Sequence, residues 1–192
     1  MTDQQNNRSL PPPHVLASMH PKSTDVPSII VIFGGAGDLS HRKLLPALYN
    51  LMVDGDLPQK FAVVGFSMEQ IDDDTYRTFA RSGVEKFSRQ KLNEEMWAKF
   101  APLLHFVSGT FTEAGDYAKL RERVEQLDQE VGSAGNRIYY FAIPPGFIDQ
   151  CSAGLSAAGL INPPDSDKGL PASWWRNRSA ATSRARSRSI VN

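Results

Sequence analysis

The chain has 192 residues, 21 basic and 21 acidic, is 41% hydrophobic, and contains a single cysteine, Cys151. That length and apolar content suit one domain with loose ends, while no apolar run reaches the ~18 residues of a membrane helix. A lone cysteine excludes an intramolecular disulfide, and with no signal-peptide layout at the N-terminus the expected setting is cytoplasmic.

The first 27 residues combine Gln4-Gln5-Asn6-Asn7 with Pro11-Pro12-Pro13 and show no periodicity, so 1–27 reads as a disordered leader. Ser28-Ile29-Ile30-Val31-Ile32-Phe33 is a continuous apolar, β-branched run, the mark of a buried parallel strand. It enters Gly34-Gly35-Ala36-Gly37-Asp38-Leu39, and a helix is expected from about Asp38 to Val53, kinked at Pro46 and stopped by Asp54-Gly55. Phe61–Phe66 is a second strand, and Asp72-Asp73-Asp74 can cap a helix running through Thr78-Phe79-Ala80. Further helices are expected at about Lys91–Phe100, Ala114–Val131 and Phe147–Ala158, with strands at Leu104–Val107 and Arg137–Ile143. This β-α alternation predicts an α/β fold: a Rossmann-type, doubly wound parallel sheet, incomplete after the fourth strand. Residues 28–168 are the expected dinucleotide-binding domain.

A glycine turn between a strand and a helix start points free N–H groups and the positive helix end at one spot, where a phosphate can sit. The spacing Gly34-x-x-Gly37-x-x-Ser40 is related to G-x-G-x-x-G, with Ser40 as the third small residue. Asp38 is either a helix cap or a cofactor contact. His41, Arg42 and Lys43 are either phosphate contacts or a solvated basic turn. Tyr139 and Tyr140 belong by default to a core strand; only Tyr140's position near Pro144-Pro145, at a strand's C-terminal end, favours a ligand role. After the second strand, where such folds read the cofactor ribose, stand Ser67-Met68-Glu69: Met68 cannot bind a 2′-phosphate and Glu69 can accept from a ribose hydroxyl, which leans toward NAD and leaves NADP open. No metal site is expected.

The stretch Phe33–Tyr49, with its G-x-x-G-D-L-x-x-[KR]-K pattern, resembles the start of the glucose-6-phosphate 1-dehydrogenase family. Val64-Gly65-Phe66 and Asn136–Pro145 resemble that family's second strand and its fourth strand with the following turn, so the resemblance covers about residues 29–168. It implies that Gly34, Gly35, Ala36, Gly37, Asp38, Leu39, Ser40 and His41 wrap the pyrophosphate of NADP (or NAD), and that Tyr140 lies close to the cofactor. It also implies oxidation of glucose 6-phosphate to the lactone in the pentose phosphate pathway, by a homo-oligomer, with neither nucleic acid nor membrane as partner. The family often has Arg where Met68 stands. The family's R-I-D-H-Y-x-G-K segment, whose His is the general base, and its E-K-P-F-G segment do not occur among these residues. No catalytic residue is therefore assigned, and the chain alone is expected to be inactive.

From Gly169 on there are five of the 21 basic residues, all arginine, and none of the 21 acidic ones, which leaves residues 1–168 at about −5. Trp174-Trp175 must be encoded TGG TGG, and a reading frame shifted by one base there permits V-V-E-K-P-F-G-R-D-L over the residues that follow. The expectation is a frameshift between roughly 168 and 173 that leaves 169–192 as an aberrant, disordered basic tail. The rival expectation is a genuine arginine-serine tail at Arg176–Ser189 for nucleic acid or an acidic surface, making the chain a basic-tail interaction protein, and a non-catalytic nucleotide-binding module is a further alternative.

Overall fold

The computed structural model describes residues 26–161. The expected leader, apart from residues 26 and 27, and the expected tail lie outside the described residues. Among those described, four parallel strands form one sheet in the order β3-β2-β1-β4. They are β1 (Ser28–Phe33), β2 (Phe61–Ser67), β3 (Leu104–Ser108) and β4 (Arg137–Phe141). The register runs Ser28 opposite Phe61 to Phe33 opposite Phe66 on one side of β1, and Ile29 opposite Arg137 to Phe33 opposite Phe141 on the other.

Because side chains alternate along a strand, β1 feeds two cores. Ile29, Val31 and Phe33 face α4 (Ala114–Val131) and α5 (Ile148–Ala157), packing with Leu120, Val124 and Leu155. Ile32 faces α1 (Leu45–Asp54), α2 (Asp73–Phe87) and α3 (Glu94–Phe100), packing with Tyr49, Tyr76 and Phe100. A parallel sheet covered on both faces explains why the strands read as unbroken apolar runs.

The expected cap at Asp72 forms: its carboxylate accepts the Thr75 N–H at 2.8 Å, and the helix runs on to Phe87. The hydrogen bond and Arg77 hold that carboxyl below its usual range. Gly55 closes α1 in the left-handed conformation at φ 76°. Several boundaries differ from expectation by one to three residues, three of them with a visible local cause. α3 starts at Glu94 because Asn93 caps it, accepting from Met96 N–H at 3.0 Å, rather than at Lys91. β4 stops at Phe141, since Ala142 and Ile143 turn over Gly34, and Phe147 belongs to a short 3-10 turn ahead of α5.

The larger difference lies around Pro46. The helix begins near Asp38, but Ser40–Leu44 is a π-helical turn in which Leu45 N–H donates to Ser40 O, five residues back. Pro46, which has no N–H, then opens the first turn of α1. The expected kink is thus a π-turn just ahead of the proline, and such turns often mark functional positions.

Candidate functional site

In an open α/β sheet, ligands sit beyond the C-terminal strand ends, where the strand order reverses. With the order β3-β2-β1-β4, that point lies between β1 and β4, and the chain leaving β1 there is the glycine turn. The turn is stitched to both neighbours. Gly34 N–H donates to Phe66 O at 2.8 Å, Ala36 N–H donates to Ser67 Oγ at 3.2 Å, and Ala142 N–H returns to Phe33 O at 2.9 Å.

The glycines divide the work. Gly34 has φ 78°, and a Cβ there would meet Ala142 O at 2.5 Å. A Cβ on Gly35 would meet Gly65 Cα at 2.4 Å, so Gly34 lets the turn lie against the chain leaving β4 and Gly35 lets it lie against β2. Gly37 differs: the atoms near its missing Cβ are Gly34 O at 3.1 Å and Gly34 C at 3.9 Å, both in the turn itself. Its outer side is open to a ligand.

The first helical hydrogen bond runs from His41 N–H to Gly37 O at 3.0 Å. The N–H groups of Asp38, Leu39 and Ser40 lie ahead of it, in the turn where a helix has no acceptors of its own. Together with the positive end of the helix dipole, these free donors are groups that an anion could accept from. Asp38 and Leu39 are exposed. The Asp38 carboxylate makes no cap and meets only the Arg42 guanidinium at 3.7 Å.

Two of the singled-out side chains point away from this opening. Ser40 is fully buried, and its Oγ has no hydrogen-bond partner. It faces the equally buried, unpartnered Tyr76 hydroxyl, whose ionisation burial pushes far up. His41 turns onto α2, with Nε2 at 2.8 Å from Ser82 Oγ and its ring at 4.6 Å from that of Phe79. Burial and nearby Lys86 lower its pKa. Each side chain faces inward because, in a helix starting at Asp38, positions 40 and 41 fall on the side covered by α2. Tyr140 stands opposite Ile32 on β4 and is 45% exposed, on the flank of the crevice. Its neighbour Tyr139 is core, donating its hydroxyl to Leu160 O at 2.8 Å.

Three supports were missed by sequence reasoning. Ser67 accepts from the turn. Gly65 has no room for a Cβ because Tyr76 lies 2.7 Å from that position, and Gly83 on α2 would clash with His41 O at 2.4 Å. A glycine inside a strand is a legible sign of close approach, whereas nothing local marks Ser67 or Gly83. A groove of about 530 Å³ between α4 and α5, beside Tyr117, Arg121 and Gly154, lies away from the turn. An exposed helix end binds phosphate without an enclosed cavity, so the groove does not compete with it. Among the described residues no cluster could hold a metal, and no helix is long and apolar enough to cross a membrane.

Residues 31–169 match the family model described as glucose-6-phosphate dehydrogenase, NAD binding domain. A glucose-6-phosphate 1-dehydrogenase of Chlamydia pneumoniae is 33% identical over 156 residues, 81% of this chain and 30% of that protein. Glucose-6-phosphate 1-dehydrogenase 2 of Mycobacterium bovis is 35% identical over 137 residues, 71% of this chain and 27% of that protein. The chain therefore spans under a third of the length of these relatives. Among solved structures, glucose-6-phosphate 1-dehydrogenase from Mycobacterium avium superposes with a TM-score of 0.61 at 24% identity, over 71% of this chain and 28% of that one. A glucose-6-phosphate dehydrogenase in complex with its substrate glucose-6-phosphate gives 0.60 at 23% identity, over 68% and 27%. Those two share the parallel α/β fold. The motif, the sheet order and the family match agree: this chain belongs to the glucose-6-phosphate dehydrogenase family of oxidoreductases and carries its NAD binding domain.

Proposed function

We propose that the turn Gly34–Gly37 and the helix start behind it hold the pyrophosphate of a nicotinamide dinucleotide, NAD or NADP, within a cofactor domain spanning residues 28–168. The reading rests on one observation above all. The N–H groups of Asp38, Leu39 and Ser40 lie ahead of the first helical bond at the point where the strand order reverses, next to a Gly37 whose outer side is open. In this role Gly34, Gly35 and Ala36 shape the cradle, Gly37 lets the backbone approach the phosphates, and Asp38, Leu39 and Ser40 donate from the main chain. His41 acts as a brace, since its N–H is spent on Gly37 O and its ring on Ser82. Tyr140 supplies an aromatic wall on the β4 side of the crevice.

Bound there, the dinucleotide supplies a hydride acceptor. For the full-length family the reading is oxidation of glucose 6-phosphate to its lactone, in the cytoplasm and by a homo-oligomer. In this chain the proposed share of that work is cofactor binding and orientation, with the residues from 169 onward as an aberrant tail. Equilibrium dialysis of the 192-residue chain against NAD and NADP tests it: saturable one-to-one binding of at least one is expected, and no binding of either contradicts it.

A further inference from the structure

The two edges of the sheet are finished differently. At β3 the outward Phe106 N–H donates to the Asp73 carboxylate at 2.7 Å, so α2 closes that edge with a side chain. At β4, Asn136 O and Ala142 N–H bond to β1. Because the backbone alternates along a strand, the N–H and C=O groups of Arg137, Tyr139 and Phe141 point away from the sheet. Among the described residues no side chain or turn caps them. Both faces of this edge are apolar. Tyr139 and Phe141 line a groove of about 360 Å³ with Ile148, Leu155 and Ile161 on the α5 side. On the other face the register sets Ile138 and the 45% exposed Tyr140 opposite Ile30 and Ile32.

The chain itself leads into this groove. Ile161 lines it, Leu160 O accepts the Tyr139 hydroxyl at 2.8 Å, and residues 162–192 follow. α5 begins beyond the C-terminal end of β4 and brings the chain back beside Tyr139, so a segment that follows can run along β4 in the same direction, as in a right-handed crossover. Trp174 stands about 13 residues past Ile161, a reach of up to ~43 Å against ~17 Å for a five-residue strand. Neighbours in an extended segment point to opposite faces. Trp174 and Trp175 would thus place one indole in the groove and the other against Ile138 and Tyr140, a large apolar side chain for each side of the edge. Beyond them the segment would reach the start of α5. There Asp149 is exposed and makes no ion pair among the described residues, and the next residue in the sequence is Arg176.

We propose that residues 170–176 of this chain dock along the open edge of β4, with Trp174 and Trp175 covering its two faces and Arg176 meeting Asp149, against the disorder expected of that stretch. Two measurements on the 192-residue chain test this. Trp97, at 8% exposure, is core, so iodide quenching reads the other two tryptophans. Most of the tryptophan emission is expected to resist iodide, and loss of most of it overturns the proposal. In amide hydrogen exchange followed by NMR, Tyr139 and Phe141 are expected to be protected. Trp174→Ser combined with Trp175→Ser should speed their exchange at least about tenfold while Val31 and Val64 stay unchanged. Equal exchange in the two chains overturns the proposal. Protection that survives the substitutions and rises with protein concentration, alongside a dimer in light scattering, makes a second copy the occupant and overturns it as well. Should the double variant precipitate, the iodide result on the unaltered chain decides.

Discussion

Three glycines in one turn carry three different constraints, and substitution tells them apart. Gly34→Ala meets both a left-handed backbone and Ala142 O at 2.5 Å, so it should cost about 2 kcal/mol or more in denaturant unfolding. At Gly37 the backbone conformation is ordinary and space is tight only toward Gly34 O. Gly37→Val should therefore keep the circular dichroism of the fold while weakening dinucleotide binding at least about tenfold, because its side chain occupies the approach to the phosphates. Behind the turn, the Tyr76 hydroxyl is buried without a partner. A buried unsatisfied hydroxyl is a cost of about 1–3 kcal/mol, so Tyr76→Phe should leave stability equal or raise it by about 1 kcal/mol; a clear loss in urea unfolding would show that the Ser40–Tyr76 pair is bonded in solution.

The elements that hold the turn were legible to different degrees. β1, the stop at Asp54-Gly55 and the Asp72 cap follow from local chemistry: β-branched residues, a left-handed glycine and a short acceptor side chain. The π-turn was not legible, because it joins a proline's missing N–H to a close approach of Gly83 on a distant helix. The inward aim of Ser40 and His41 follows from that same helix phase, so a motif that lists both beside the cofactor conceals their packing role. α2 also ties down the edge of β3: Asp73 accepts Phe106 N–H at 2.7 Å and Arg123 Nη2 at 2.9 Å. His105 Nδ1 lies 2.8 Å from Arg123 Nη2, from which it can accept when unprotonated, and 3.3 Å from Asp73 Oδ2, to which it can donate when protonated. Burial, aided by Arg123 and Arg77 and opposed by Asp73, holds His105 below its usual 6.5, and His41 is shifted in the same direction. The unfolded chain therefore takes up these protons first as pH falls. Stability should be full above about pH 6.5 and decline on acidification through and below it. Urea midpoints at pH 7.5 and 5.5 check the sign, and His105→Gln should flatten the difference.

At the scale of the whole molecule, a sheet covered on both faces positions the free N–H groups of a helix start at its switch point. Around the crevice the described residues place Asp38, Arg42, Glu69 and Tyr140, while both described histidines, His41 and His105, are occupied in packing. A polypeptide of these 192 residues should consequently show no glucose 6-phosphate-dependent reduction of NAD or NADP in a spectrophotometric assay, whatever its affinity for either cofactor. The most direct test of the central claim is an amide chemical-shift map of the isotopically labelled chain titrated with ADP-ribose. The largest shifts should fall on Gly37, Asp38, Leu39 and Ser40, with smaller ones at Met68 and Glu69. Shifts concentrated at the α4–α5 groove beside Tyr117 and Gly154, or none anywhere, would contradict the assignment of the glycine turn as the phosphate cradle.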